Sequence, residues 1–368
     1  MFCPRLASAS PKLGRCRAPC LHISNLTVHA SRPRHLSTAV EVAVVANASE
    51  AADRMMHGFG GKTLTRKQTL DGNQLQKLSL TLGRTHLRHG LDVSTNIPPL
   101  GTPLPPGYHL VYFTPSELES ALGPDGTERT FNAPAPFTRR MWAGGRMRWH
   151  HDATLRVGEM VEEHTKLVGV TAKKSRDGSD MVIVDVEKEF WGERGLSIAD
   201  QRSWVFRKEA VAPVEASPEL LSTSFSRSEV RDVKSGTGKG FPERHLRWSP
   251  VALFRFSALT FNGHMIHYNE TRTRNFEGHP GLVVHGPLNL INMMDYWRDF
   301  HGKENLHAKE VAYRAMSPIY AGEPYKITSS VVDRSEDGGH EPPRVKLLVE
   351  NGGVVSMRAE VVAHTEHH

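Results

Sequence analysis

HGPLNLINMMDYWRDF, residues 285–300, reads as one helix with almost no polar side. Leu288, Leu290, Ile291, Met293, Met294, Trp297 and Phe300 take up most of its circumference, and a helix apolar nearly all round is buried. Charge is confined to Asp295, Arg298 and Asp299, where the helix is expected to emerge. Pro287 suits the first helical position, since the N–H it lacks would be unpaired there anyway. Gly286 then stands at or beside the N-cap, where a missing side chain lets another molecule approach the backbone.

Strands surround this helix in the reading. RVKLLVEN (344–351) and GVVSMRAEVVAH (353–364) alternate apolar and polar residues, as do ATLRVGEMVEEHTKLVGVTAKK (153–174), DMVIVDVEKEFWG (180–192) and LSIADQRSWVFRKE (196–209). SPIYAGEPYKITSSVVD in the second half resembles ATLRVGEMVEEHTKLVG in the first, with Gly322 answering Gly158 and Glu323 answering Glu159. A repeat at that separation implies two related domains, not a solenoid; chance similarity of short strands is the rival. Residues 213–245 are rich in Gly, Ser and charge and read as the linker. Val40 to Met56 and Leu75 to Leu82 read as helices, and a buried helix followed by antiparallel strands implies an α+β layer arrangement.

The opening differs from the rest. Of 46 Lys and Arg, six lie in the first 40 residues (Arg5, Lys12, Arg15, Arg17, Arg32, Arg34) with no acid among them, which leaves 40 bases against 40 acids from Glu41 onward. A formally neutral body argues against a broad nucleic-acid footprint. Arg-rich, Ser-rich, acid-free composition is that of mitochondrial transit peptides, so residues 1–38 are expected to be a matrix address; a basic tail with no address is the alternative. All three cysteines fall in the opening, which excludes a disulfide framework, a cysteine nucleophile or a zinc–thiolate site elsewhere. No run of eighteen apolar residues marks a membrane span.

The chemistry-bearing stretch is FNGHMIHYNE, Phe261–Glu270. His264 and His267 are spaced as in metal sites, with His279, His285, Glu270 or Glu277 as possible further ligands, yet no HExxH or second compact ligand pair accompanies them. A structural role is open too. The remaining reading is acid–base catalysis without metal or cofactor: a histidine moves a proton while a backbone N–H at a helix start holds an oxyanion.

RFSALTFNGHMIHYN followed by GLVVHGPL resembles the hydratase region of the MaoC-like hot-dog superfamily, nearest the mitochondrial hydroxyacyl-thioester dehydratase type 2 proteins and the mesaconyl- and itaconyl-CoA hydratases. The general pattern there is Asp-x-Asn-Pro-apolar-His with a His-Gly pair further on. The resemblance implies a double hot-dog, two antiparallel sheets each wrapped around a long central helix. Its expected parts are 1–38 transit segment, 39–212 first hot-dog without a catalytic motif, 213–245 linker and 246–368 catalytic hot-dog. His267 falls on the catalytic histidine and Gly286 on the oxyanion glycine. Asn262 falls where the pattern has aspartate, and an amide only orients a water or hydroxyl. His264 and Met265 replace the pattern's Asn and Pro; the type 2 subgroup carries TFN.H.IHY, so these read as subgroup features. Either His267 works largely alone or a carboxylate such as Glu277 completes the site. His264, His285, Arg272, Arg274 and Glu277 are the substrate-binding candidates.

The implied activity is interconversion of 3-hydroxyacyl and 2-enoyl thioesters, carried on CoA or on acyl carrier protein, with no metal and no cofactor. Hydration of short dicarboxylic CoA esters is the alternative, and a non-catalytic acyl-thioester-binding protein a second. A homodimer is compatible with the family, although two hot-dogs in one chain already form a pair.

Overall fold

The computed structural model describes residues 44–209, 215, 227–234, 240–302, 306–332 and 344–365. The expected transit segment 1–38 lies outside them. The first half runs α1 (Ala48–Phe59), β1 (Thr63–Thr69), α2 (Gly72–Thr81), a small hairpin at His86–Arg88 and Leu91–Asp92, a single 3-10 turn (Tyr108–Val111), β2 (Arg139–Trp149), β3 (Met160–Lys174), β4 (Asp180–Gly192) and β5 (Gly195–Arg207). The second runs β6 (Glu229–Val233), β7 (Glu243–Arg247), α3 (Pro250–Leu259), α4 (Glu270–Asn275), α5 (Gly286–Phe300), β8 (Leu306–Ala315), β9 (Tyr325–Val332), β10 (Arg344–Asn351) and β11 (Val354–Thr365).

The eleven strands make one antiparallel sheet in the order β1-β3-β4-β5-β2-β8-β11-β10-β9-β7-β6. That order is nearly palindromic about the β2–β8 seam. The architecture is the α+β double hot-dog, its two half-sheets joined edge to edge. Gly144 and Gly145 let β2 fit between its two neighbours: a Cβ at Gly144 would lie 2.5 Å from Tyr313 O across the seam on β8, and one at Gly145 2.1 Å from Gln201 O on β5.

The repeat seen in the sequence is a repeat of hydrogen bonds. Gly158 N–H donates to Leu70 O at 2.8 Å, and Gly322 N–H to Trp248 O at 2.9 Å. Both glycines have positive φ, 94° and 88°, a conformation costly with a side chain. Glu159 Oε2 accepts Arg156 N–H at 3.1 Å, and Glu323 Oε2 accepts Tyr320 N–H at 3.0 Å. Each unit is followed by a long strand (β3, β9) and preceded by a capped helix, α2 on Asp71 and α3 on Ser249.

The halves are unequal at their centres. Bridges pair Val283 with Tyr320 and Pro103 with Arg156. After Val283 the chain enters the 15-residue α5; after Pro103 it makes only the 3-10 turn at Tyr108–Val111. Among the described residues, a long helix at this central position is present in the second half alone; the first half has α1 instead, which packs with Leu167, Val184 and Phe206. In α5, Leu288, Leu290, Ile291, Met293 and Tyr296 are fully buried, each such side chain contributing about 1.5–3 kcal/mol. Asp295 does not emerge: it is 2 % exposed. Tyr108 O–H donates to its Oδ2 at 2.9 Å and Arg298 to its Oδ1 at 2.6 Å, which compensates the burial.

The stretch 213–245 is not linker throughout. Glu229–Val233 pairs with Glu243–Arg247 as a hairpin extending the second half-sheet. Alternation there is too short and too charged to stand out from a polar connection. Leu75, Leu78, Phe190, Phe256, Ile291 and Leu347 belong to one hydrophobic core that spans both halves.

Candidate active site

The end of α3 builds the loop. Phe261 takes φ +46°, and Asn262 N–H returns to Ser257 O at 2.8 Å. Asn262 Oδ1 accepts His264 N–H at 3.1 Å, closing an Asx turn. A 3-10 turn, Met265–His267, follows. Val283 N–H donates to Ile266 O at 2.9 Å, tying the loop to the strand-like entry to α5.

The same contact sets the tautomer of His267. Its Nδ1 lies 2.7 Å from Val283 O. A carbonyl only accepts, so Nδ1 carries the proton and Nε2 of the neutral ring keeps its lone pair. Burial pushes the imidazole down to about 4, against the opposing Val283 hydrogen bond. The ring is therefore a neutral base at pH 7.

His285, the N-cap of α5, stacks on His267 with ring centroids 3.5 Å apart and planes at 17°. Ser257 Oγ lies 2.9 Å from its Nε2. Burial first, then the neighbouring histidines, hold it well below the usual range. Gly286 follows as the first residue of α5, where an N–H has no intrahelical acceptor. A Cβ there would meet Trp142 at 3.1–3.3 Å, so an indole from β2 occupies the place of a side chain. Behind it, the Arg202 guanidinium sits 5.4 Å over the Trp142 ring.

His264, His267, His285, Gly286 and Asn262 all line one cavity of about 760 Å³. The structure thus brings together the predicted catalytic pair, the oxyanion glycine and two of the substrate-binding candidates. The first half supplies much of the remaining wall, including Phe113, Trp142, Phe190 and Trp204 with Arg66, Arg140, Lys188 and Arg202, and the second half adds residues 316–319 and Met357. Arg66 and Lys188 share one carboxylate, Glu163, at 2.7 and 2.5 Å.

The other candidates lie apart from this wall. Arg272 and Arg274 are on α4 and do not line the cavity; Arg272 stacks over Phe276 instead. Glu277 is buried and pairs with Arg139 at 3.1 Å. Burial raises its carboxyl, with Arg139 opposing.

Asp125 was not legible as a site residue, because PDGT (124–127) reads simply as a turn. It is buried, with Oδ2 3.6 Å from His264 Nε2. Asp125, His264 and Glu277 present ligand-type atoms within 4.8 Å of one another, the one such grouping among the described residues. Arg139 already engages one of these carboxylates, and Arg140 and Arg272 add positive charge around His264. That surrounding argues against a further cation.

The sequence model of the family described as hydroxyacyl-thioester dehydratase type 2 matches residues 107–321. The chain is 31 % identical over 274 residues to the mesaconyl-C(4)-CoA hydratase of Chloroflexus aurantiacus, covering 72 % of this chain and 89 % of that one. It is 29 % identical over 237 residues to the mitochondrial hydroxyacyl-thioester dehydratase type 2 of Schizosaccharomyces pombe, covering 62 % and 78 %. A solved MaoC-like dehydratase superposes with a TM-score of 0.57 at 13 % identity over 83 % of this chain and 98 % of its own. One from Phytophthora capsici gives 0.55 at 13 % identity, over 86 % and 98 %. At such identity the two structures speak for the fold.

Proposed function

Since this chain belongs to the hydroxyacyl-thioester dehydratase type 2 family, we propose that it is a hydro-lyase, adding water to 2-enoyl thioesters and removing it from 3-hydroxyacyl thioesters. The observation that carries this is the pairing of a tautomer-locked, neutral His267 with the free helix start at Gly286 on one cavity wall.

In the dehydration direction His267 Nε2 takes the α-proton. The electron pair moves toward the thioester oxygen, to which Gly286 N–H donates a hydrogen bond as the charge develops, without reorganisation. The Cβ–O bond then breaks, and the proton held by His267 passes to the leaving hydroxyl, so that water departs and the ring is neutral again. Asn262 Oδ1 is committed to the loop, so its amide N–H₂ is the part that orients the hydroxyl. His285 backs the His267 ring and Trp142 closes the space beside Gly286.

Hydration of crotonyl-CoA, followed by loss of enoyl-thioester absorbance, tests the reading. His267→Ala should lower kcat by about 10²–10⁴-fold, the share of a positioned acid–base group, with KM little changed. Full turnover by a folded His267→Ala protein removes the loop from the chemistry. Binding without turnover in the wild type would leave an acyl-thioester-binding protein.

A second reading, hydration of a short dicarboxylic CoA ester, is favoured by the cations of the first-half wall. Lys188 loses affinity for its proton through burial, and Arg202 and Arg66 add to this. Arg66 and Lys188 share Glu163 and Arg202 pairs with Asp200, so three cations meet two acids, and a substrate carboxylate there would balance the excess. A mesaconyl-CoA against crotonyl-CoA comparison of kcat/KM decides between them. Mitochondrial residence is proposed on the composition of the opening and on the named mitochondrial relative. A tagged chain starting at Ala39 should stay cytosolic, and its import would refute the address.

A further inference from the structure

Asn262 leaves the site without the carboxylate of the wider pattern, yet a carboxylate reaches the loop from the other half of the chain. Thr127 donates to Asp125 Oδ1 through its N–H at 3.0 Å and its hydroxyl at 2.7 Å. Met265 N–H donates to Asp125 O at 2.8 Å. The two loops touch backbone to backbone: a Cβ on Gly126 would lie 2.0 Å from Gly263 O, and one on Gly263 2.7 Å from Gly126 O. With Oδ1 engaged, Oδ2 faces His264 Nε2 at 3.6 Å. That nitrogen is sealed from solvent and has no hydrogen-bond partner. His264 is 7 % exposed and lines the cavity beside His267, their rings edge to face with centroids 5.6 Å apart.

We propose that Asp125 is the carboxylate the motif lacks, and that it acts through His264 to form a second acid–base unit beside His267. The inference rests on the hydratase reading above. Asp125 is the positioning residue and His264 the catalytic one. With Nε2–H directed at Asp125, the Nδ1 of His264 keeps its lone pair. In hydration, water gives a proton to His264 Nδ1 and its oxygen bonds to Cβ. The alkene pair moves to Cα and the thioester oxygen. The proton is relayed to His267 Nε2 and from there to Cα, so both rings end neutral and one water has been added. Asp125 stabilises the transient imidazolium. The gap of 3.6 Å closes to hydrogen-bond length as that charge forms, as catalytic contacts commonly do.

The groups that face His264 are Asp125 and Glu277, the cations Arg139, Arg140 and Arg272, and the rings of His267, His279 and His285. Burial first, then His267, Arg140, His279 and Arg272, depress its basicity, which is why an adjacent carboxylate matters to it.

The test is crotonyl-CoA hydration by the full chain with Asp125→Asn, which retains an oxygen for Thr127 and loses the charge. We expect kcat to fall about 10²-fold with KM within about twofold. The acid limb of the kcat profile should move to lower pH by about one unit, since removing a nearby anion makes the imidazole a weaker base. Asp125→Glu should recover part of the loss. His264→Gln should match Asp125→Asn, and the double variant should be no worse than His264→Gln, because one residue acts through the other. An Asp125→Asn protein with wild-type kcat, or with lower kcat but an unmoved acid limb, overturns the proposal while His267→Ala can still uphold the hydratase reading. Activity lost to a chelator and restored by zinc also overturns it, making Asp125, His264 and Glu277 a metal centre. If the wild type hydrates neither crotonyl- nor mesaconyl-CoA, it is the hydratase reading that fails.

Discussion

A histidine that serves as a base at neutral pH has to stay unprotonated, and burial does this for His267. The same holds for its neighbours: His279 is pushed down to about 4 by burial and then Arg139, and His264 and His285 lie well below their usual range. These shifts have a stability consequence. In the unfolded chain an imidazole binds a proton below about 6.5; in the folded chain His267 does so only near 4. Between those values the unfolded state holds more protons, so stability is full above about 6.5 and is lost as pH falls toward 4. At about 1.4 kcal/mol per unit, one such ring accounts for a few kcal/mol. Urea midpoints should fall between pH 7.5 and 5, well before carboxylate protonation. A midpoint constant over that range would mean that the rings are charged or wet in the folded protein. His267 and Gly286 were legible because their motif is local. Asp125 was not, because its partner lies more than a hundred positions away and its own turn is an ordinary one.

Among the elements, α5 carries the second half. Ile291 is fully buried within it, with the apolar strands β10 and β11 in the same core. Ile291→Val should cost only about 0.5–1.5 kcal/mol, whereas Ile291→Asp places an unpaired charge in the core and should abolish the cooperative melt. A soluble Ile291→Asp protein melting near the wild-type temperature would contradict this placement. The helix was readable because its apolar residues run nearly all round. Strands β3, β4, β5, β10 and β11 were readable from alternation, whereas β2 was not, since the sequence RRMWAGGRMRW interrupts its pattern with the glycine pair that fits β2 between β5 and β8. Asp295 was misplaced for a related reason: periodicity shows a charge on the helix, while the Tyr108 hydroxyl that receives it comes from the other half.

At the scale of the molecule, the repeat was legible in the residues and the double hot-dog was implied by the family resemblance, whereas the inequality of the halves was not legible. Hydrogen bonds at Gly158 and Gly322 preserve the repeat where residues have diverged, but no pattern announces a helix that is missing. That missing helix divides the labour. One half holds the proposed machinery, with His267 and Gly286 anchored on α3 and α5. The other, with a one-turn stub at Tyr108–Val111 in place of a long helix, offers the inner faces of β3, β4 and β5 to the cavity through Glu163, Lys188, Phe190, Arg202 and Trp204. A vacated seat has become the guest room. Selectivity can then drift by changes in the first half while the catalyst in the second stands still, which is how one inherited reaction can be handed from one acyl group to another.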